Sequence, residues 1–296
     1  MKTGLIAIIG RPNVGKSTLI NALVGVKISI TADKPQTTRH RILGVRTEAD
    51  AQFVFVDTPG YQTRHKGALN SAMNRAVTQA LAEVDVILWV FEAGRFTPAD
   101  EQVLRLLPRQ LPHARPVIAI LNKVDLLADK TRLLPALQSL SGQYNFAEMV
   151  PLSARAANDV SRLLAIIQPY LPEGEAMFEA DEITDRSERF LAAEIVREKV
   201  FRLTGEEIPY GTAVEIEQFI QEPSGMRRIG VVILVDREMH KPILLGAGGE
   251  RMKRIATEAR QDMERLFDAK VHLTCWIKIK SGWMDSTAML RRLGLE

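Results

Sequence analysis

Through the first 170 residues, short apolar runs alternate with stretches whose apolar positions recur every three or four residues. The runs at 5–9, 53–56, 86–91, 117–121 and 149–152 have the length and aliphatic content of strands buried on both faces, as in a parallel sheet. Between them, 17–24, 69–81, 100–107 and 160–167 carry helical spacing. Strict alternation of the two patterns predicts a three-layer α/β domain with a mostly parallel sheet, whose ligand site lies at the carboxyl ends of the strands. The prolines of 169–172 end this pattern. The acidic, aperiodic stretch that follows reads as a linker. Beyond it, a helix at 187–203, strands at 212–219 and 229–235, a Gly-rich turn at 246–249, a helix to 267 and a strand at 271–280 predict a smaller α+β domain. The expected division is therefore 1–170, a linker at 171–185, and 186–296.

Composition agrees with two folded units. The chain has 296 residues, 46% hydrophobic and 25% charged, close to the globular average and far from disordered or fibrous extremes. Its net charge of +3 permits an anionic partner without specifying one. The single cysteine, Cys275, has no internal partner, which excludes a disulfide framework and favours a reducing compartment. The residues before the first apolar run are too few for a signal peptide, and no stretch approaches a membrane span. The expected location is the cytoplasm, with peripheral contact at the inner face of the cell membrane left open.

The chemistry begins directly after the first run. Gly10-Arg11-Pro12-Asn13-Val14-Gly15-Lys16-Ser17 fits G-x-x-x-x-G-K-[ST] between a strand and a helix, the context in which that motif cradles phosphates. The glycines let backbone N–H groups approach phosphate oxygens, the helix start adds positive dipole, Lys16 neutralises charge and Ser17 offers a ligand to Mg²⁺. Asp57-Thr58-Pro59-Gly60 closes the second run, which sets Asp57 where a carboxylate holds Mg²⁺ through water and Gly60 where backbone meets a γ-phosphate. Asn122-Lys123-Val124-Asp125 follows another run. There a carboxylate accepts from both the N1–H and the 2-amino group of guanine, a pair that adenine lacks. Ser153-Ala154 follows the next run, where a backbone N–H is expected to meet the guanine oxygen.

These four segments, in this order and spacing, resemble the translation-factor class of P-loop GTPases. The resemblance implies that Gln36, Thr37, Thr38 and Arg39 belong to the first switch loop, with Thr38 on Mg²⁺ and Thr37 as the alternative, and that Asp57 to Gly60 open the second switch. Many small GTPases carry a water-orienting glutamine after Asp-x-x-Gly. Tyr61 stands there in this chain and is expected to pack rather than catalyse, because a phenol is a poor base near neutral pH. Asn13 occupies a position where some of these GTPases help to bind K⁺. A structural role in the loop is the competing reading.

In the second half, Gly246-Ala247-Gly248-Gly249 is expected between an apolar strand and a helix, as in a KH domain that clamps single-stranded RNA backbone. Arg251, Lys253 and Arg254 follow it and Lys278 and Lys280 end a later strand, charges that suit phosphates. Together with Ile183-Thr184-Asp185-Arg186-Ser187 and Lys278-Ile279-Lys280-Ser281-Gly282-Trp283, these motifs resemble the Era-like GTPases along nearly the whole chain. That family pairs a P-loop GTPase domain with a type II KH domain. The resemblance implies a Mg²⁺-dependent GTP/GDP switch, monomeric, that binds small-subunit ribosomal RNA near its 3′ end and acts in assembly of the 30S-type subunit. Two other readings stay open: a GTPase partnered with a tRNA-modification enzyme, and a module that binds nucleotide without hydrolysing it.

Overall fold

The structure is a computed structural model describing residues 1–61, 67–108, 115–205 and 207–295. The chain divides into two compact units, one of Met1–Ser29, 38–61 and Met73–Asp185, the other of Ile30–Thr37, 67–72 and 186–295.

In the first unit, strands β1 (Lys2–Ile9), β2 (Ile42–Thr47), β3 (Ala51–Asp57), β4 (Val86–Glu92), β5 (Val117–Asn122) and β6 (Glu148–Pro151) form one sheet in the order β2-β3-β1-β4-β5-β6. All neighbours are parallel except β2, which runs antiparallel to β3 along the edge. Helices α1 (Lys16–Val24), α2 (Ala68–Glu83), α3 (Pro98–Leu104), α4 (Leu133–Ser141) and α5 (Ala157–Ile167) connect the strands. Because β1 pairs with β3 on one side and β4 on the other, the loop leaving β1 opens at the point where strand order reverses. Ligands bind at such points in open α/β sheets. The central strands are apolar throughout, and Trp89, fully buried, stacks on Phe91 and Phe146 with centroids 4.7 and 5.6 Å away.

Residues 171–185, expected as an aperiodic linker, are strapped to this unit through their backbone. Glu173 bridges Lys2, Thr184 bridges Gly44, and the fully buried Gln52 donates to the Phe178 carbonyl at 2.8 Å while accepting from the Met177 N–H at 2.7 Å. Backbone pairing needs no side-chain periodicity, which is why the stretch shows none.

The second unit has a three-stranded sheet, β7 (Thr212–Gln221), β8 (Arg227–Val235) and β9 (Val271–Ile279), ordered β7-β8-β9 with the first pair antiparallel and the second parallel. Helices α6 (Glu188–Leu203) and α9 (Glu250–Phe267), with the short α7 (Glu207–Tyr210), α8 (His240–Leu245) and α10 (Thr287–Arg292), complete it. Ile195, Val196 and Val200 of α6 and Ile255, Ala259 and Met263 of α9 share one core with Ile229, Val231 and Ile233 of β8. Ser187 caps α6 by accepting from the Phe190 N–H. On the same helix Glu194, Arg197, Glu198 and Lys199 are also buried. Such charges are stable inside only when paired: Arg197 pairs with Glu194, Lys199 with Asp262, and Glu198 accepts from the N–H and hydroxyl of Thr31. The Lys34 ammonium meets the carbonyls ending α6, Phe201 at 2.6 Å among them, where a cation complements the helix dipole.

The Gly-rich turn corrects one expectation. It joins α8 to α9, helix to helix, rather than strand to helix. Pro242 falls in the first turn of α8, where proline favours a helix, so the apolar run before Gly246 is helical.

Candidate functional site

The phosphate loop between β1 and α1 is shaped by backbone that only certain residues adopt. Gly15, preceding α1, is left-handed at φ 98° and no side chain caps the helix, so the first N–H groups of α1 point into an uncapped hollow suited to anions. Asn13 is also left-handed, at φ 65°. Lys16 is 6% exposed and its ammonium donates to the Arg11 carbonyl at 3.0 Å. Burial pulls its pKa down to about 8, with Asp57 opposing and Arg11 assisting. Gly60 lies against the loop so closely that a Cβ there would stand 2.8 Å from the Pro12 nitrogen, and the Tyr61 N–H donates to the Gly10 carbonyl at 3.3 Å. Thr58 donates to the Ile8 carbonyl at 2.8 Å, a structural role. The ring of Tyr61 packs against the hydrophobic core.

Three oxygens converge beside Lys16. Ser17 Oγ lies 2.7 Å from Thr38 Oγ1 and donates to Asp57 Oδ2 at 3.2 Å. Ser29, unmarked by any motif, donates to the same oxygen at 2.6 Å. Thr37, the alternative, instead donates to the Lys34 carbonyl at 2.6 Å, and Gln36 to Asn70 at 3.0 Å. Asp57 is fully buried, burial raises its pKa, and its Oδ1 has no hydrogen-bond partner. A buried carboxylate with one oxygen unpartnered, together with the Ser17 and Thr38 hydroxyls beside it, offers the hard oxygen donors that a divalent cation takes, so these residues fit Mg²⁺.

On the base side, Asn122 is the organiser. Its amide donates to the Val14 carbonyl at 2.8 Å, while its oxygen accepts from the Lys123 and Ala154 N–H groups at 2.8 and 3.0 Å. Asn122 thus ties the phosphate loop to both base-side loops, and a Cβ at Gly15 would collide with it. Asp125 is exposed in a 3₁₀ turn after β5. The N–H groups of Ser153 and Ala154 are both engaged within the protein, that of Ser153 by Asp159 at 2.8 Å. These bonds shape the loop. Arg11 contributes its backbone to the phosphate loop, but its side chain is held by Glu92 and Asp100, residues that no linear motif marked.

In the second unit the three glycines of the 246–249 turn have φ of 72°, 57° and 81°, left-handed values that explain their identity. A Cβ at Gly246 would sit 2.8 Å from Arg251 Cβ, whereas Gly248 and Gly249 face open space. Beside the turn lies a cleft of about 410 Å³ lined by Leu203, Gly246, Ala247, Glu250, Arg251 and Arg254. Arg251 donates to the Ile243 carbonyl of α8, and Arg254 pairs with Glu258 at 2.8 Å. Lys253 is exposed. Lys278 pairs with Glu217.

A nucleotide-binding α/β domain of the P-loop class followed by a small α+β domain with a glycine turn beside a cleft is the class of protein that these two units define. The chain matches the model of the 50S ribosome-binding GTPases over residues 5–123 and that of the KH domain over 207–284. It is 56% identical to the GTPase Era of Nitrosomonas eutropha over 100% of its length and 98% of that protein's. The GTPase Era of Bordetella avium is 54% identical over 100% of the chain and 98% of its own length. Two solved Era structures superpose with TM-scores of 0.94 at 40% identity, covering 100% of this chain and 99% of theirs: a tyrosine-to-alanine variant of Aquifex aeolicus Era bound to GDP and AlF4⁻, and Era with MgGDPNP and nucleotides 1506–1542 of 16S ribosomal RNA. The chain belongs to the Era family of GTPases.

Proposed function

We propose that this GTPase is a GTP/GDP switch that binds the 3′-end region of small-subunit ribosomal RNA through its KH domain and acts in assembly of that subunit. The observation that carries the reading is the pairing of a complete nucleotide site with a left-handed glycine turn opening on a cleft. Full-length likeness to an Era crystallised with a 16S fragment supports the choice of RNA. The likeness to the 50S ribosome-binding GTPases spans only residues 5–123, a region without the KH domain, so it bears on the GTPase fold rather than on the subunit.

In this reading Lys16 and the N–H groups at the start of α1 hold the β- and γ-phosphates, and Asn122, Lys123 and Asp125 select guanine. Ser17, Thr38 and Asp57 would hold Mg²⁺, which when bound would supply charge neutralisation on the phosphate oxygens. With Tyr61 packed against the core, the residue directly after Gly60 does not orient the attacking water. The protein then contributes positioning and fixed positive charge, and intrinsic hydrolysis is slow. Asn13 would help to hold a K⁺ ion that adds positive charge beside the phosphates, in which case hydrolysis is faster in KCl than in NaCl at equal ionic strength; equal rates remove this role of K⁺.

Single-stranded RNA passes its backbone over Gly248 and Gly249, with Lys253 and Arg254 on phosphates. Gly248→Asp tests this, because the added side chain meets no atom within 4 Å and Asp is among the residues that best tolerate a left-handed φ; its melting curve establishes folding first. Affinity for a 16S 3′-end RNA drops at least tenfold at 100 to 200 mM salt if repulsion acts at the contact. Unchanged affinity in the folded variant refutes the RNA site and leaves the GTPase standing.

A further inference from the structure

Glu92 ends β4 between the phosphate loop and the base-side loop, and belongs to neither. One of its oxygens, Oε2, lies 3.3 Å from Arg11 Nη2 and 3.2 Å from Lys123 Nζ. The same Arg11 is clamped at Nε by Asp100 at 2.9 Å. Asp100 is itself fully buried and held by the N–H and hydroxyl of Thr97 at 2.9 and 2.6 Å. Two cations and two carboxylates therefore form a neutral chain running from the rigid start of α3 through the phosphate loop to Lys123. Side-chain exposures are 0% at Asp100, 12% at Arg11, 20% at Glu92 and 29% at Lys123, so the chain is buried at one end and opens to solvent at the base side.

We infer that Glu92 is a positioning residue for guanine selection: it tethers Lys123, and with it the loop bearing Asp125, to the phosphate loop through Arg11. The inference depends on guanine lying over Asn122, Lys123 and Asp125. Asn122 already links the two loops through its amide, but that contact fixes the start of the base-side loop. Lys123 has left-handed backbone at φ 64°, a conformation that costs a side-chain-bearing residue free energy unless its surroundings hold it. The Glu92 contact supplies such a hold on its side chain. Asp125, two residues on, must present two oxygens to two adjacent N–H donors, an arrangement sensitive to small rotations of the loop. The side chain of Arg11, spent on carboxylates, is in this account no phosphate ligand.

Removing the Glu92 charge also leaves net positive charge near the phosphates, which raises affinity for any nucleotide diphosphate. The ratio of GDP to inosine diphosphate affinity cancels that effect, because the two ligands carry identical phosphates and differ only in the 2-amino group. Glu92→Gln, equal in size, and Glu92→Ala, which removes the contact entirely, are each titrated with both ligands, after their melting curves establish folding. The tether predicts that the ratio falls at least fivefold in Glu92→Ala and in the same direction in Glu92→Gln. General loosening of the fold lowers both affinities together and leaves the ratio alone. Asp125→Asn, tested with xanthosine diphosphate, separates the two levels of the account. An unchanged ratio in both Glu92 variants, with Asp125→Asn still turning toward xanthine, overturns the tether and keeps the guanine site. An unchanged ratio with no turn toward xanthine overturns both.

Discussion

Replacing Lys16 with methionine has opposite effects on the empty and the loaded protein. The Lys16 ammonium is buried beside Arg11, and its pKa falls from 10.5 to about 8, which corresponds to about 3 kcal/mol of destabilisation while the group is charged. Methionine keeps much of the apolar stem and loses the hydrogen bond to the Arg11 carbonyl, about 1 kcal/mol. The nucleotide-free variant is therefore expected to be more stable than the parent by about 2 kcal/mol at pH 7, or roughly 4–8 °C in melting temperature for a domain of this size. The sign with pH follows from linkage: the folded pKa lies below the unfolded one, so the parent carries the full penalty below pH 8 and sheds it as pH rises toward 10.5. The gap between the two proteins closes over that window. Saturating Mg-GDP reverses the order, because a ligand at a hundred times its dissociation constant adds about 2.7 kcal/mol to the protein that binds it. Scanning calorimetry on nucleotide-stripped and loaded samples reads both effects. A variant that melts below the parent when both are empty refutes the claim that burial of the Lys16 charge, only partly offset by Asp57, destabilises the empty phosphate loop.

Three other outcomes follow from the same geometry. Asp125→Asn exchanges a double acceptor for a group that donates as well, so preference moves from guanine toward xanthine nucleotides, checked by competition titration. Nucleotide affinity holds steady below pH 8 and then falls by up to tenfold per pH unit, since the free Lys16 must take up a proton to meet phosphate; Lys16→Met lacks this slope in isothermal titration. Gly246→Ala destabilises the second unit by about 1–3 kcal/mol, because φ is 72° and its Cβ meets Arg251, while Gly248→Ala, with open space around it, costs less in denaturant titration.

The parallel strands were legible because burial on both faces leaves them as continuous apolar runs, and the phosphate loop because its glycines and Lys16-Ser17 stand at fixed spacing. β2 was not, since an antiparallel edge strand such as Ile42–Thr47 mixes Gly44 and Arg46 into a half-buried pattern. α4 was hidden by Pro135 and by Leu134, which is 64% exposed, so no clean apolar face marks it. The helix before Gly246 looked like a strand because six residues, His240–Leu245, are too few to display a helical period. In the nucleotide site, residues that act by motif were readable, whereas Ser29, Glu92 and Asp100 were not. Each reaches its partner from 28, 81 and 89 positions away, and only the folded sheet brings them together. The internal partners of the Ser153 and Ala154 N–H groups, Asp159 and Asn122, likewise become apparent only in three dimensions.

The central claim is that nucleotide chemistry in this GTPase serves the small-subunit RNA. Crosslinking the protein to RNA in living cells and sequencing the bound fragments tests it most directly, with Gly248→Asp run in parallel. The account predicts crosslinks concentrated at the 3′ end of 16S ribosomal RNA, lost in the variant. Crosslinks concentrated on large-subunit RNA or on tRNA, or a 16S signal unaffected by Gly248→Asp, contradict it.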